Sequence, residues 1–250
     1  MLRKRTSLVL LVVIVVTLLL GSIVYAGTDA NPGDIVINEI MQNPSAVGDS
    51  DGEWFEIKNV TGSNIDINGW TIKDDDSDSH VISNGGPLIV PAGGYLVLCR
   101  NSDSGANGGV TCDYQYSGFT LANGADEVVL VDDGATPEEI DRVDYDGGGS
   151  SGDFPDPNGA SMAYGGPPDA TTDPSIDNND GTRWGTSTST YGDGDAGTPG
   201  TKNDDVLGPN AVTLSTLSAS GFNPTMLALS LVAILALGAG AFVLRRRAVL

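Results

Sequence analysis

One histidine, His80, and two cysteines, Cys99 and Cys112, are the whole imidazole and thiol complement of 250 residues. That scarcity disfavours zinc, whose structural sites draw on several Cys and His ligands. It also weakens hydrolysis of the Ser-His-acid kind, which needs a histidine held against a nucleophile. The serines beside His80 sit in no nucleophile elbow, so His80 reads as a structural or strand-edge residue. Basic side chains are the second shortage, with 12 Lys and Arg against 33 Asp and Glu. Six of the bases lie in two terminal clusters, Arg3 to Arg5 and Arg245 to Arg247, so residues 27–225 set 33 acids against six bases, a formal charge of −27. Such a surface repels nucleic acid and anionic lipid. It suits divalent cations, cationic partners or plain solubility in salt. A helical apolar period is also missing from everything between the two ends.

What is present begins with the ends themselves. In "MLRKRTSLVLLVVIVVTLLLGSIVYAG" three bases precede an apolar run from Leu8 to Leu20, and Val24 and Ala26 supply a small-x-small cleavage point, as in a secretory signal over residues 1–26. A retained N-terminal anchor is the alternative. Residues 27–33 form a short spacer. Near the other end, Met226 to Leu244 carries no charge and would span roughly 28 Å as a helix at ~1.5 Å per residue, enough for a hydrocarbon core. Arg245 to Arg247 then hold the tail, residues 245–250, in the cytoplasm and leave the bulk of the chain outside. The same spacer, apolar segment and basic tail also look like a sorting signal that is cut and reattached. The expectation is a single-pass, surface-exposed cell-membrane protein. Cys99 and Cys112 then share an oxidising compartment and are expected to form one disulfide around "RNSDSGANGGVT". A metal pair would need more thiol or imidazole ligands than the chain has.

From Asp34 the chain alternates short apolar runs with Gly, Asn, Asp and Pro clusters, the pattern of an antiparallel all-β domain. Ten strands are expected: Ile35–Met41, Glu53–Asn59, Ile65–Ile67, Trp70–Lys73, Val81–Ser83, Leu88–Val90, Tyr95–Cys99, Phe119–Leu121, Glu127–Val131 and Ile140–Tyr145. So many short strands need two facing sheets to bury their apolar sides. "YLVLC", apolar throughout, should be a central strand covered on both faces. Residues 147–205 turn rich in Gly, Asp, Pro, Ser and Thr, with Phe154, Met162, Tyr164, Trp184 and Tyr191 as anchors, and read as an extension partly docked on the sandwich. Residues 206–225 read as the spacer to the membrane.

Four stretches in order carry a resemblance: "DIVINEIMQNP" (34–44), "GEWFEIKNVTGSNIDINGWTIKD" (52–74), "LIVPAGGYLVLCR" (88–100) and "FTLANGADEVVLVD" (119–132) leading into "IDRVDYD". They resemble the lamin tail domain family over residues 34–146, and "PNGASMAY" and "RWGTSTSTYGDGDAGTPGTKN" are similar to the loop-rich ending of its microbial members. The resemblance implies an immunoglobulin-like β-sandwich, plus an interaction module without a catalytic constellation. The basic surfaces credited with nucleic-acid contact in lamins have no counterpart in this acidic chain.

The acidic stretches offer hard oxygens for calcium. A helix-loop-helix calcium loop fails at its first ligand, because "SIDNNDG" aligned on Gly181 places Ile176 there and "VGDSDG" aligned on Gly52 places Val47 there. A looser β-sandwich site from Asp49, Asp51, Asp74, Asp75, Asp76 and Asp78 is the remaining candidate. No other cofactor is implied. Glu53 and Glu56 have a spacing open to paired-carboxylate catalysis, against a scaffold role for Glu56 in its strand. Asn59 in "NVT" is a candidate glycosylation site. The expected function is a non-catalytic binding or adhesion module at the cell surface, its partners the membrane through the C-terminal helix and an extracellular protein or glycan, with no nucleic acid. A structural envelope component is the alternative, and a calcium-dependent surface protein or a hydrolase ranks below both.

Overall fold

A computed structural model describes residues 30–148, 154–166 and 178–207. The signal segment 1–26, the spacer beyond residue 207, the apolar segment 226–244 and the basic tail lie outside the described residues. Among the described residues no helix is long and apolar enough to cross a membrane.

Twelve strands form: β1 (Ile35–Met41), β2 (Trp54–Asn59), β3 (Ile65–Asp66), β4 (Thr71–Lys73), β5 (Ser79–Val81), β6 (Ile89–Val90), β7 (Tyr95–Cys99), β8 (Tyr114–Gln115), β9 (Ala125–Val131), β10 (Glu139–Asp146), β11 (Met162–Tyr164) and β12 (Trp184–Thr186). Among the described residues helix is confined to one turn, Asp49–Gly52, and a 3-10 turn at Gly181–Arg183. One sheet runs β12-β11-β1-β2-β7-β8, the second β10-β9-β4-β5, and β3 and β6 make a small third pair. All pairings are antiparallel except β7 with β8.

The two larger sheets bury one core between them. Ile35, Ile37, Ile40, Phe55, Ile57, Leu96 and Leu98 from the first meet Ile72, Val128, Leu130, Ile140, Val143 and Tyr145 from the second. Alternation sends the intervening residues outward, and there Met41, Trp54, Val97 and Cys99 make a second apolar cluster on the outer face of the six-stranded sheet. β7 is thus covered on both faces, as "YLVLC" predicts.

Two expectations shift. Phe119–Leu121 forms no strand. Phe119 and Leu121 still bury, but the Leu121 N–H donates to the Glu53 carboxylate at 3.0 Å, and the strand pairing on that side comes from β8. The extension is also more than partly docked: β11 pairs with β1 and β12 with β11, so the sandwich reaches past residue 146. Phe154, Met162, Tyr164 and Trp184 all join the main core.

Candidate functional site

A bulge in β1 decides what the outer face presents. Ile37 pairs with Ile57, then Glu39 with Glu56, so Asn38 is the extra residue. Strict alternation would aim Glu39 inward alongside Ile37. The bulge instead turns it out beside Glu56 and returns Ile40 to the core opposite Phe55. The two glutamates, both fully buried, thus lie directly across the β1–β2 pair.

Residues 187–204 run over this face as a strap. Glu39 accepts hydrogen bonds from Ser161 Oγ (2.5 Å) and Ser187 Oγ (3.1 Å), and from Thr198 through both its N–H (2.8 Å) and its Oγ1 (2.7 Å). Glu56 accepts from Asn38 Nδ2 at 2.7 Å and from the Gly200 N–H at 2.5 Å. Burial raises the Glu39 pKa against the pull of its donors. Burial first, and the charge of Glu39 second, push Glu56 up to about 8. Elsewhere Trp54 Nε1 donates to Tyr191 Oη at 2.9 Å, the rings meeting edge-on at 5.8 Å. Asp195 accepts from the backbone N–H of Ser45 and Ala46 and from Ser45 Oγ. Asn203 Nδ2 ties the strap to the Asn38 and Tyr164 carbonyls, at 2.8 and 2.9 Å. Gly192, at φ +42°, lets the strap backbone approach Gly108 and Gly109 so closely that any Cβ would collide with the Gly108 carbonyl.

The predicted disulfide is present: Cys99 and Cys112 are bonded, with Cα atoms 6.0 Å apart. It fixes the loop on which the strap rests, and Cys112 packs against the outer cluster.

The residues proposed for chemistry fall elsewhere. Glu53 and Glu56 do not form a pair. Glu53 accepts from Arg100 Nη1 at 3.1 Å and from the Leu121 N–H, and burial lifts its pKa to about 7 against those two donors. The carboxylate partner of Glu56 is Glu39, which spacing alone did not mark because the bulge is invisible in it. His80 lies within β5, its Nδ1 3.0 Å from the Ser117 carbonyl and its Nε2 2.8 Å from Tyr114 Oη. Nδ1 thus faces both the Ser117 carbonyl and, at 3.3 Å, the Ser117 N–H, while Nε2 meets the tyrosine hydroxyl. Tyr114 Oη also accepts the Ser83 N–H at 2.8 Å. His80 is a pin between β5 and the segment after β8, with no nucleophile among these contacts.

Five of the six candidate calcium ligands are held one by one, and the sixth, Asp76, is exposed. Asp49 accepts from Asn123 Nδ2 (3.0 Å) and Asp51 from Asn101 Nδ2 (2.9 Å). Asp74 closes its own turn on the N–H groups of Asp76 and Asp78, both at 2.9 Å. Asp75 is ion-paired with Arg142, whose guanidinium lowers its pKa, and Asp78 accepts from Thr120 Oγ1 at 2.7 Å. The segment Thr120–Asn123 therefore ties both acidic loops to one end of the sandwich, as separate hydrogen-bonded groups. Among the described residues no three His, Cys, Asp or Glu side chains come together as a metal site. Asn59 is fully buried. Its Nδ2 donates to the Ser63 and Val90 carbonyls, at 2.7 and 3.0 Å, while its Oδ1 accepts from Thr61 N and Oγ1. A glycan on that amide is incompatible with this packing, and the sequon's residues make a structural turn instead. One polar cleft of about 530 Å³ lies between the end of β10 and the 3-10 turn, lined by Asp144, Asp146, Phe154, Asn179, Asp180 and Gly181.

Two facing, mainly antiparallel sheets with almost no helix, closed by one disulfide, define an all-β protein of the immunoglobulin-like sandwich class. Residues 28–147 match the family described as Lamin Tail Domain, so this segment is a lamin tail domain. No curated protein matches the chain. The matched segment stops before β11, β12 and the strap, so those parts complete the sandwich from outside it.

Proposed function

We propose that this chain is a non-catalytic binding or adhesion module displayed at the cell surface, exported by residues 1–26 and held by the apolar segment 226–244 with its C-terminus in the cytoplasm. The observation that carries this reading is the use made of the reactive side chains. His80, Glu39, Glu53 and Glu56 each spend their polar atoms on hydrogen bonds that join parts of the fold. The contact surface is the acidic loop end, where Asp75 and Asp76 stand exposed around the turn of Asp74. Its charge suits a cationic or polar patch on an extracellular protein, or a glycan, and opposes nucleic acid.

A pull-down from intact cells and a glycan and protein array, each run with calcium and with a chelator, test the reading. A saturable ligand whose binding weakens in Asp75→Asn and Asp76→Asn variants is the expected result. Turnover of any substrate that disappears in His80→Ala or Glu56→Gln would overturn it.

A structural envelope role is the second reading. The strap favours it, because closure of the outer sheet face by residues 187–204 makes the sandwich a stiff spacer between the membrane and whatever lies beyond.

A further inference from the structure

The buried pair Glu39 and Glu56 is not used by the binding role, yet it costs more than any other polar feature of the fold. Two carboxylates on directly opposed residues, both at 0% exposure, repel each other if both are ionised. The donors divide them. Glu39 receives four hydrogen bonds, three from hydroxyls and one from the Thr198 N–H, an arrangement suited to a carboxylate. Glu56 receives two, from Asn38 Nδ2 and the Gly200 N–H. The proton of the pair therefore belongs with Glu56.

Their surroundings supply little to offset a second negative charge. On the strap the titratable groups are Tyr191, with Asp195 acting on it, Asp193, exposed Lys202, and Asp204, whose carboxylate accepts from Thr188 and Ser189. On β2 and β7 they are Lys58, which sits over the Tyr95 ring 5.3 Å from its centroid, and Tyr95 itself. Asp113 adds another negative charge near Glu56. Beside β11 and β12, Ser161 and Ser187 offer the pair neutral hydroxyls, and the cation flanking β12, Arg183, is ion-paired with Asp180.

We propose that Glu39 and Glu56 form a proton-dependent latch for the strap: with Glu56 protonated beside the Glu39 carboxylate the strap stays closed over Trp54, and loss of that proton to solvent releases it. The strap is the part that moves, because it contributes no strand to either sheet; its grip on the pair runs through Ser187, Thr198 and Gly200, beside the contacts made by Tyr191, Asp195 and Asn203. Release bares Met41, Trp54 and Val97 on a face otherwise covered. The direction follows from the raised pKa of Glu56, about 8, against 4.5 for a free glutamate: closure is complete below the free value and fades as pH rises through the folded one.

The test uses the full chain between pH 6 and pH 10, reading tryptophan emission and protease cleavage within residues 187–204, normalised to an unstructured reference peptide. Cleavage should rise by up to about tenfold per pH unit from pH 6 until about pH 8 and level off above it, with a red shift of the Trp54 contribution over the same interval. Glu56→Gln, which stays neutral and still accepts the Gly200 N–H, should hold the strap closed across the range. An equal rise in Glu56→Gln, or a flat wild-type profile, overturns the latch. The wild-type profile decides the matter alone if the variant fails to fold.

Discussion

Asn59 shows how much one side chain can hold. It meets two carbonyls and two Thr61 donors from a fully buried position, so Asn59→Ala orphans groups on three segments. A loss of about 2–4 kcal/mol in a thermal or denaturant melt is expected. Trp54 depends on its partner in the same way. Tyr191→Phe removes the only hydroxyl its buried indole N–H meets at 2.9 Å, and about 1–3 kcal/mol should be lost with the ring packing kept. In sequence, Glu53–Asn59 reads as a strand, and its pairing as β2 sends Phe55 into the core and Trp54 to the outer cluster. The role of Asn59 was hidden, because "NVT" describes a local sequon and Val90 is far along the chain. The burial of Glu39 was hidden too: period-two reasoning carries no mark of a bulge, and Asn38 is identified as the extra residue only once β1 is paired with β2.

At the scale of elements, β1 and β7 occupy the ranges their alternation or apolar run foretells, since long strands in a sheet centre are dictated by their own burial pattern. β11 and β12, three residues each, were not legible. They exist because the β1 edge offers them partners, and anchors such as Met162 and Trp184 announce burial without geometry. The strap is likewise spelled in turn residues, which read as a partly docked extension without showing where it docks. Its closeness to the disulfide loop makes two predictions. Gly192→Ala places a Cβ against the Gly108 carbonyl at φ +42°, so it should weaken strap docking by about 1–3 kcal/mol and speed proteolysis within residues 187–204. Breaking the Cys99–Cys112 bond, which spans 13 residues, should cost roughly 3 kcal/mol and lower the melting temperature by several degrees.

For the whole molecule the buried glutamates set the response to pH. The pKa values of Glu53 and Glu56 rise from 4.5 to about 7 and about 8, so the folded state binds protons that the unfolded state has already released across this interval. Their stabilising contribution is whole below the unfolded value and lost as pH climbs through the folded ones, at up to about 1.4 kcal/mol per pH unit for each group. Melting temperature should therefore fall from mildly acidic to mildly alkaline pH, and Glu56→Gln should flatten the upper part of that decline. Calcium at millimolar concentration should leave the melt unmoved, because five of the six candidate carboxylates already have partners, Asp76 is exposed, and among the described residues no three of these side chains converge. Beneath these expectations lies one claim: a lamin tail domain whose outer sheet face is completed by its own C-terminal strap. Amide hydrogen exchange of the full chain at pH 6 tests it most directly. Protection of the Thr198 and Gly200 amides, together with β11 and β12, at the level of β1 and β2 is the predicted result, and exchange of the strap at free-loop rates while β1 and β2 stay protected would contradict it.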